Sequence, residues 1–451
     1  MAAWSHVPVS RLVGALRLDA EFWHPSYIQK EKAIRQSSHV QLGSLVTTFR
    51  KGIFYILAKE YADEGVPFYR SSNVGNILPN EEGITYITEE KNHAERKTAL
   101  QAGDLMIVKT GRPGASVVFS SLCNVSQDVI AVKVRTDRIN PYYLAVYLNS
   151  QFGYSEMSRW FQGQVQPHLS LEDARKIWVS IPDRIFQESI EELVRNAESY
   201  RTKAKASYYE AQSLLESELG LDKLTFDKPV SYAARFSEVA ASHRLDVTHY
   251  RPQYTQLIKH IKKGQWAYLG QLAEKNWRGV QPVYVDDGEV DVVNSQHLGK
   301  QHLDYDAFAK TTRAAFIANP EAHIRYGDIL IYSTGAYVGR TNVYLREKPA
   351  LASNHVHILR LRGDIDPAYM AMVLSSPVGA FQTEKYARGS AQAELYPSDI
   401  AKFVVLLIEP EKQKAIGDLV RESLTAQEES KRLLDQAKRR VEELIEEAIA
   451  A

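Results

Sequence analysis

A single cysteine, Cys123, leaves the chain without the second thiol that an internal disulfide needs and without the makings of a Cys-rich metal site. Its 13 histidines form no His-Glu-x-x-His and no His/Cys cluster, and the pair His355 and His357, alternating on an expected strand, has no carboxylates close by in sequence. An excess of one charge is missing too. Lys and Arg number 55 and Asp and Glu 55, which excludes a uniform polyanion-binding coat but not local basic patches, because the long acidic helices described below leave the rest of the chain more basic. The longest aliphatic run, Phe403 to Ile408, has the length of a strand and is far short of a membrane span. With no basic-then-apolar leader pattern either, a cytoplasmic protein with no membrane partner is expected. Glycine-rich turns for a nucleotide or a methyl donor are absent, as is a Pro-Asp…Asp/Glu-x-Lys nuclease signature. No catalytic residue, metal ligand or cofactor site is therefore expected in this chain.

What is present is long helical periodicity. From Asp183 to Leu219, Ile190, Ala197, Ala204 and Ala211 recur every seven residues, with Leu193, Tyr200, Ser207 and Leu214 three behind, which is an a/d seam in search of a partner. Pro182 and Asp183 provide a first-turn proline and a capping carboxylate, and Gly220 a left-handed stop. At 1.5 Å per residue this is a rod of roughly 50 Å. The partner lies in the same chain. From Pro410 onward Ile416, Leu419, Leu433, Ala437, Val441 and Leu444 line one face of a second long helix. Both helices start alike, Pro182 leading to Gln187 and Ile190, Pro410 to Gln413 and Ile416.

That likeness extends over nearly the whole chain. Arg17-Leu18-Asp19, with Pro25 and Tyr27, recurs 227 residues later as Arg244-Leu245-Asp246, with Pro252 and Tyr254. Leu42-Gly43-Ser44-Leu45 recurs as Leu269-Gly270-Gln271-Leu272 and Gly52 as Gly279, again at 227. Gly103-Asp104-Leu105 and Thr110-Gly111 match Gly327-Asp328-Ile329 and Thr334-Gly335 at an offset of 224. The expected fold is α+β: two tandem-duplicated mixed α/β domains, separated by two long helices that form an antiparallel coiled coil. The first copy reads as short, mostly antiparallel strands, among them Val40–Thr48, Asp104–Lys109 and Val129–Val134, with a helix from Pro141.

Asn140-Pro141-Tyr142-Tyr143 and Asp366-Pro367-Ala368-Tyr369 resemble the Asn/Asp-Pro-Pro-Tyr loop of amino-methyltransferases but lack its second proline, and read better as an N-cap followed by a first-turn proline. Other loops fit nucleic acid. Glycines with Arg112 and Arg340 between strands suit close approach to a phosphate backbone, and loops rich in Arg, Asn, Gln and Ser carry the donor and acceptor pairs that read base edges. The candidate DNA contacts in the first copy are Lys51, Arg70, Ser72, Asn73, Lys109, Arg112, Gln164, Gln166 and His168. In the second they are Arg278, Gln281, Asn294, Gln296, His297, Tyr337, Arg340, Arg388 and Gln392. The same loops are polar in both copies yet differ in identity, as expected of one scaffold reading two sequences.

On its paired Arg-Leu-Asp openings, Leu-Gly-x-Leu and Gly-Asp-(Leu/Ile) strands and Pro-led helices with their glutamines, the chain resembles the specificity (S) subunits of type I restriction-modification enzymes. The resemblance implies target recognition domains at 1–182 and 223–409 and spacer helices at 183–222 and 410–451. It also implies double-stranded DNA, two methyltransferase (M) subunits and restriction (R) subunits as partners, with S-adenosylmethionine, ATP and Mg on those partners. A pseudo-two-fold rod of that length suits two half-sites one turn of DNA apart, about 34–36 Å. A self-contained DNA methyltransferase or nuclease, and a coiled-coil adaptor with no nucleic-acid role, are the alternatives. The first needs a cofactor or metal motif, and salt-dependent binding to duplex DNA separates the second.

Overall fold

The computed structural model describes residues 4–15, 17–163, 165–227, 229–389 and 392–450. They fall into two mixed α+β units, one drawn from Met1–Arg201 and Glu428–Ala451, the other from Thr202–Gln427. The long helices Arg184–Glu218 and Pro410–Ala450 each contribute residues to both.

In the first unit Val46–Lys51, Val129–Val134, Leu105–Val108 and Ala115–Val117 form an antiparallel sheet in that order. A second sheet orders Tyr61–Ala62, Thr85–Ile87, Val66–Tyr69 and Asn124–Val125, the last pair parallel. The other unit repeats the first sheet as Ala273–Arg278, Val356–Leu361, Ile329–Tyr332 and Thr341–Val343. Its second sheet orders Ala309–Thr311, Val290–Val293, Ala350–Ala352 and His323–Ile324, with the middle pair parallel.

Sequence periodicity misplaced one element in each copy. The strand expected over Val40–Thr48 is broken: His39–Gln41 pairs with Trp178–Ser180, and Leu42–Leu45 is a single 3-10 turn, as Leu269–Leu272 is a single helical turn. Leu42 and Leu45 lie three apart and are both buried, a spacing that puts them on one side of a 3-10 turn. A Cβ on Gly43 would stand 3.0 Å from that of Arg175, and one on Gly270 2.8 Å from that of Ala401, so each turn lies hard against the matching later segment of its own unit. His355 likewise precedes its strand, in the turn before Val356.

The helix Pro141–Asn149 is buried along its length, and the Tyr143 hydroxyl donates to the Ser180 carbonyl at 2.9 Å, as that of Tyr369 in Pro367–Ser375 does to Leu406 at 3.1 Å. Asn140 and Asp366 cap these helices through their side chains. Each cap is tied to a long helix. Gln187 Oε1 accepts the Asn140 amide at 2.8 Å while its Nε2 donates to the Pro182 carbonyl at 2.9 Å, and Gln413 does the same for Asp366 at 3.4 Å and Ile408 at 2.8 Å. The first long helix is capped by Asp183, which accepts from the Phe186 amide at 2.8 Å. Pro182 therefore precedes the cap instead of occupying the first turn. At the other end Gly220 takes φ 64, and the Leu221 amide closes on the Glu216 carbonyl at 2.8 Å, a left-handed stop.

The apolar stripe of that helix keeps Ile190, Ala197, Ala204 and Ala211 buried, and on its second line Ser207 is buried as framed, while toward the two ends burial falls one residue later than expected. Val194 and Leu215 are buried, Leu193 and Leu214 half-buried, and Tyr200 exposed. On the second helix Ile416, Leu433, Ala437 and Val441 are buried, as are Val420 and Ile445, whereas Leu419 and Leu444 are half-buried. Where two apolar residues are adjacent, a heptad can be framed with either, and contact with the partner decides. In the first unit Ile190, Val194 and Ala197 share a core with Leu433, Ala437, Val441 and Ile445. In the second, Ser423 donates to the Ala204 carbonyl at 2.7 Å and Lys412 pairs with Glu218 at 2.6 Å, so the helices there run antiparallel.

Candidate nucleic-acid interface

One short turn gathers the loops of each unit. In the first, the segment Val125–Val129 receives hydrogen bonds from Gly52 N to Val129 O (3.0 Å), Ile53 N to Val125 O (2.8 Å) and Lys109 N to Asp128 O (2.8 Å), and gives one from Ser126 N to Tyr69 O (2.9 Å). The loop after Lys109 is tied onward by Gly111 N to Pro167 O (3.0 Å) and Leu169 N to Lys109 O (2.7 Å). The loops after strands 46–51, 66–69 and 105–108 and the loop at 162–168 are thus neighbours. The second unit makes the same six bonds: Gly279 to Val356 (2.9 Å), Val280 to Ala352 (3.1 Å), Ser333 to His355 (3.0 Å), Ser353 to Val293 (3.0 Å), Gly335 to Ala393 (2.9 Å) and Leu395 to Ser333 (2.8 Å).

Glycine is required where this packing is tightest. A Cβ on Gly52 would lie 2.3 Å from the carbonyl oxygens of Val125 and Ser126, and one on Gly279 2.3–2.4 Å from those of Ser353 and Ala352. At Gly111 and Gly335 φ is 117° and 129°, a region that other residues avoid.

On this frame the first unit exposes Lys51, Arg70, Ser72, Arg112, Gln166 and His168, with Lys109 half-buried. Lys51 stands 4.7 Å over the Phe54 ring and Arg70 5.8 Å from that of Tyr61. Asn73 is a correction. It is 4% exposed, accepts the Arg70 amide at 3.0 Å and donates to the Asn80 carbonyl at 3.0 Å and the Glu82 carbonyl at 3.3 Å, so both its N–H groups build its own loop and burial keeps it from a base. Gln164 lies outside the described residues, as do Ser390 and Ala391 of the matching loop.

In the second unit Gln281, Gln296, Tyr337 and Gln392 are exposed and Asn294, half-buried, accepts from the Tyr284 hydroxyl at 2.8 Å. Arg340 stacks 3.6 Å over Tyr337, its guanidinium with no carboxylate partner among the described residues. His297 is a second correction: it is buried, its Nδ1 accepts the Asn294 amide at 2.9 Å, and burial pushes its pKa below the usual histidine range. Arg278 is a third. It binds Asn354 O at 2.5 Å, Glu394 at 2.6 Å and the Thr334 hydroxyl at 2.6 Å, joining three loops rather than reaching outward. Tyr396 and Arg278 together hold Glu394 below the usual carboxylate range. Arg388 is exposed but pairs with Asp399 at 2.9 Å.

Exposed aromatics went unrecognised in the sequence: Phe54 at 73% and Tyr55 at 65% exposure, and Trp277 at 55%. Their position beside the matched glycines Gly52 and Gly279 is the signal that marks them. His357 is buried, its Nε2 lies 2.6 Å from Asn276 Oδ1, and burial, with Arg278 adding to it, pushes its pKa down to about 3.

No family model matches the chain, and no curated protein does. Among solved structures it is similar to the S subunit of the type I restriction-modification system of M. genitalium, at 11% identity over 91% of this chain and 95% of that one, with a TM-score of 0.47. The HsdS subunit from Thermoanaerobacter tengcongensis is similar at 15% identity over 91% and 95% of the two chains, with a TM-score of 0.28. The type IIG restriction endonuclease BpuSI matches 40% of this chain and 29% of its own, at 9% identity and a TM-score of 0.31.

Proposed function

We propose that the chain is the non-catalytic, DNA-reading S subunit of a type I restriction-modification assembly, recognising an asymmetric bipartite target. One observation carries the reading: six main-chain hydrogen bonds recur in both units, and although Gln166 and Gln392 display the same amide at matched positions, other side chains on the resulting loops differ, Arg70 and Ser72 on one against Asn294 and Gln296 at the matched positions of the other. A shared frame with unlike displays suits two different half-sites, each gripped by cations at phosphates and read by amides at base edges. The duplication and the helix pairing belong to the same reading, the helices acting as spacers that set the interval between half-sites and as a platform for two M subunits and the R subunits. S-adenosylmethionine, ATP and Mg would reside on those partners, and the assembly would work in the cytoplasm.

Mapping modified adenines in cells that express the chain with a methyltransferase subunit tests the reading. A two-part motif with unlike halves is expected. A palindrome or a continuous motif overturns it, and so does duplex binding by the pure chain without a steep salt dependence.

A further inference from the structure

The Arg-Leu-Asp segments hold their leucines out into solvent in both units. Arg17 Nε donates to Asp19 at 2.6 Å and Arg244 Nε to Asp246 at 2.6 Å. The same aspartates accept the amides of Phe22 at 3.3 Å and His249 at 3.0 Å. Each arginine's carbonyl accepts from an aromatic side chain, Trp23 Nε1 at 3.0 Å and Tyr250 Oη at 2.5 Å. Three equivalent bonds thus fix the turn twice over, and between the locked charges Leu18 is 84% and Leu245 89% exposed. Nine residues earlier, at the start of a short helix, Val9 is 73% and Phe236 86% exposed.

Residues kept alike in two otherwise divergent copies serve either the fold or something both copies meet. Leu18 and Leu245 touch too little to serve the fold, and an aliphatic side chain offers neither a charge to a phosphate nor a donor or acceptor to a base edge. What remains is a protein that binds twice. Apolar side chains on a fixed turn are suited to this, since little freedom is lost when they enter a pocket.

We propose that Leu18 and Leu245, with Val9 and Phe236, are two equivalent anchor points for one protein partner bound in two copies, the methyltransferase subunit of the assembly. The inference rests on the function proposed above and names where that partner grips each domain. The test uses the full chain, Leu18→Glu and Leu245→Glu singly and together, and the purified methyltransferase subunit as the probe, with native mass measurement counting bound copies. Two copies on the wild type, one on each single variant and none on the double are expected at a concentration just saturating the wild type, with melting unchanged and duplex affinity of the isolated chain within twofold. Leu18→Met should keep both copies. Unchanged copy number in the variants overturns the proposal, as does loss of DNA affinity in the isolated chain, which would make the leucines DNA contacts. A mass that rises with concentration for the wild-type chain alone, and not for the double variant, assigns the surface to self-association and overturns it equally. A wild type that binds duplex DNA but takes up no methyltransferase subunit sinks this inference and leaves the reader standing. Failure to bind DNA at all is failure of the function itself, and the anchors fall with it.

Discussion

Ser430 donates its hydroxyl to the main-chain carbonyl of Ala197 at 2.7 Å, from one long helix to the other. So short a side chain reaches a neighbouring backbone only if the helices lie close, and the methyl side chain of Ala197 permits that. Ser423 and Ala204, seven residues along on each helix, repeat the bond at 2.7 Å in the second unit.

The seam should therefore reject bulk. Ala204→Trp is expected to cost about 1–3 kcal/mol by overpacking, and Ser423→Ala roughly 1 kcal/mol from the lost hydrogen bond. Urea unfolding measures both, and an Ala204→Trp variant as stable as the parent would show that the seam is open there.

At Gly52 and Gly279 a methyl group would fall on two carbonyl oxygens. Each Gly→Ala change should lower the melting temperature and weaken duplex binding by its own half-site, because the whole turn must shift. Chemical denaturation and competition with DNA altered in one half at a time give the readout.

Phosphate and base contacts should separate by their salt response. Arg112→Ala and Arg340→Ala are expected to weaken binding to all sequences and to reduce the log–log salt slope by about one unit each. Gln166→Ala and Gln296→Ala should cost about 1–3 kcal/mol at single base positions and leave the slope alone. Anisotropy titrations on a panel of point-changed duplexes, repeated at several salt concentrations, would reveal any residue placed in the wrong class.

Arg278 should behave as neither. Its partners are Asn354, Glu394 and Thr334, so Arg278→Ala is expected to destabilise the second unit while loosening recognition at several base positions together. A loss confined to one position, with stability intact, would return Arg278 to the direct readers.

His357 gives the second unit an acid sensitivity. Its pKa is about 3 when folded and near 6.5 when unfolded, so the unfolded chain binds the extra proton between those values. The stability from keeping it neutral is full above about pH 6.5 and is lost as pH falls toward 3. At about 1.36 kcal/mol per unit the ceiling is a few kcal/mol. The first unit has Ile130, paired with Lys51 where His357 pairs with Arg278. Calorimetry between pH 7 and 4 should show a transition that moves down in wild type and much less in an Asn276→Phe/His357→Ile variant.

The long helices, their caps at Asp183 and Gly220 and the order of repeated segments were legible because each rests on local chemistry or on identity between copies. The seam's frame was not, since Leu193 with Val194 and Leu214 with Leu215 satisfy either choice until a partner is present. Asn73 and His297 misled for a related reason. A polar side chain after a strand looks the same in sequence whether it faces outward or ties its own loop, and only burial separates the two. Arg278 adds the case of a cation whose carboxylate, Glu394, lies more than a hundred residues away.

The six ties that frame each loop cluster run from main chain to main chain, so no displayed side chain is needed to hold them. Exchange of one displayed residue for another consequently leaves the loop where it was. A lineage can change what these loops touch by single substitutions, each intermediate still folded. Drift in the loops and constancy in the turn beneath them are then two results of one arrangement.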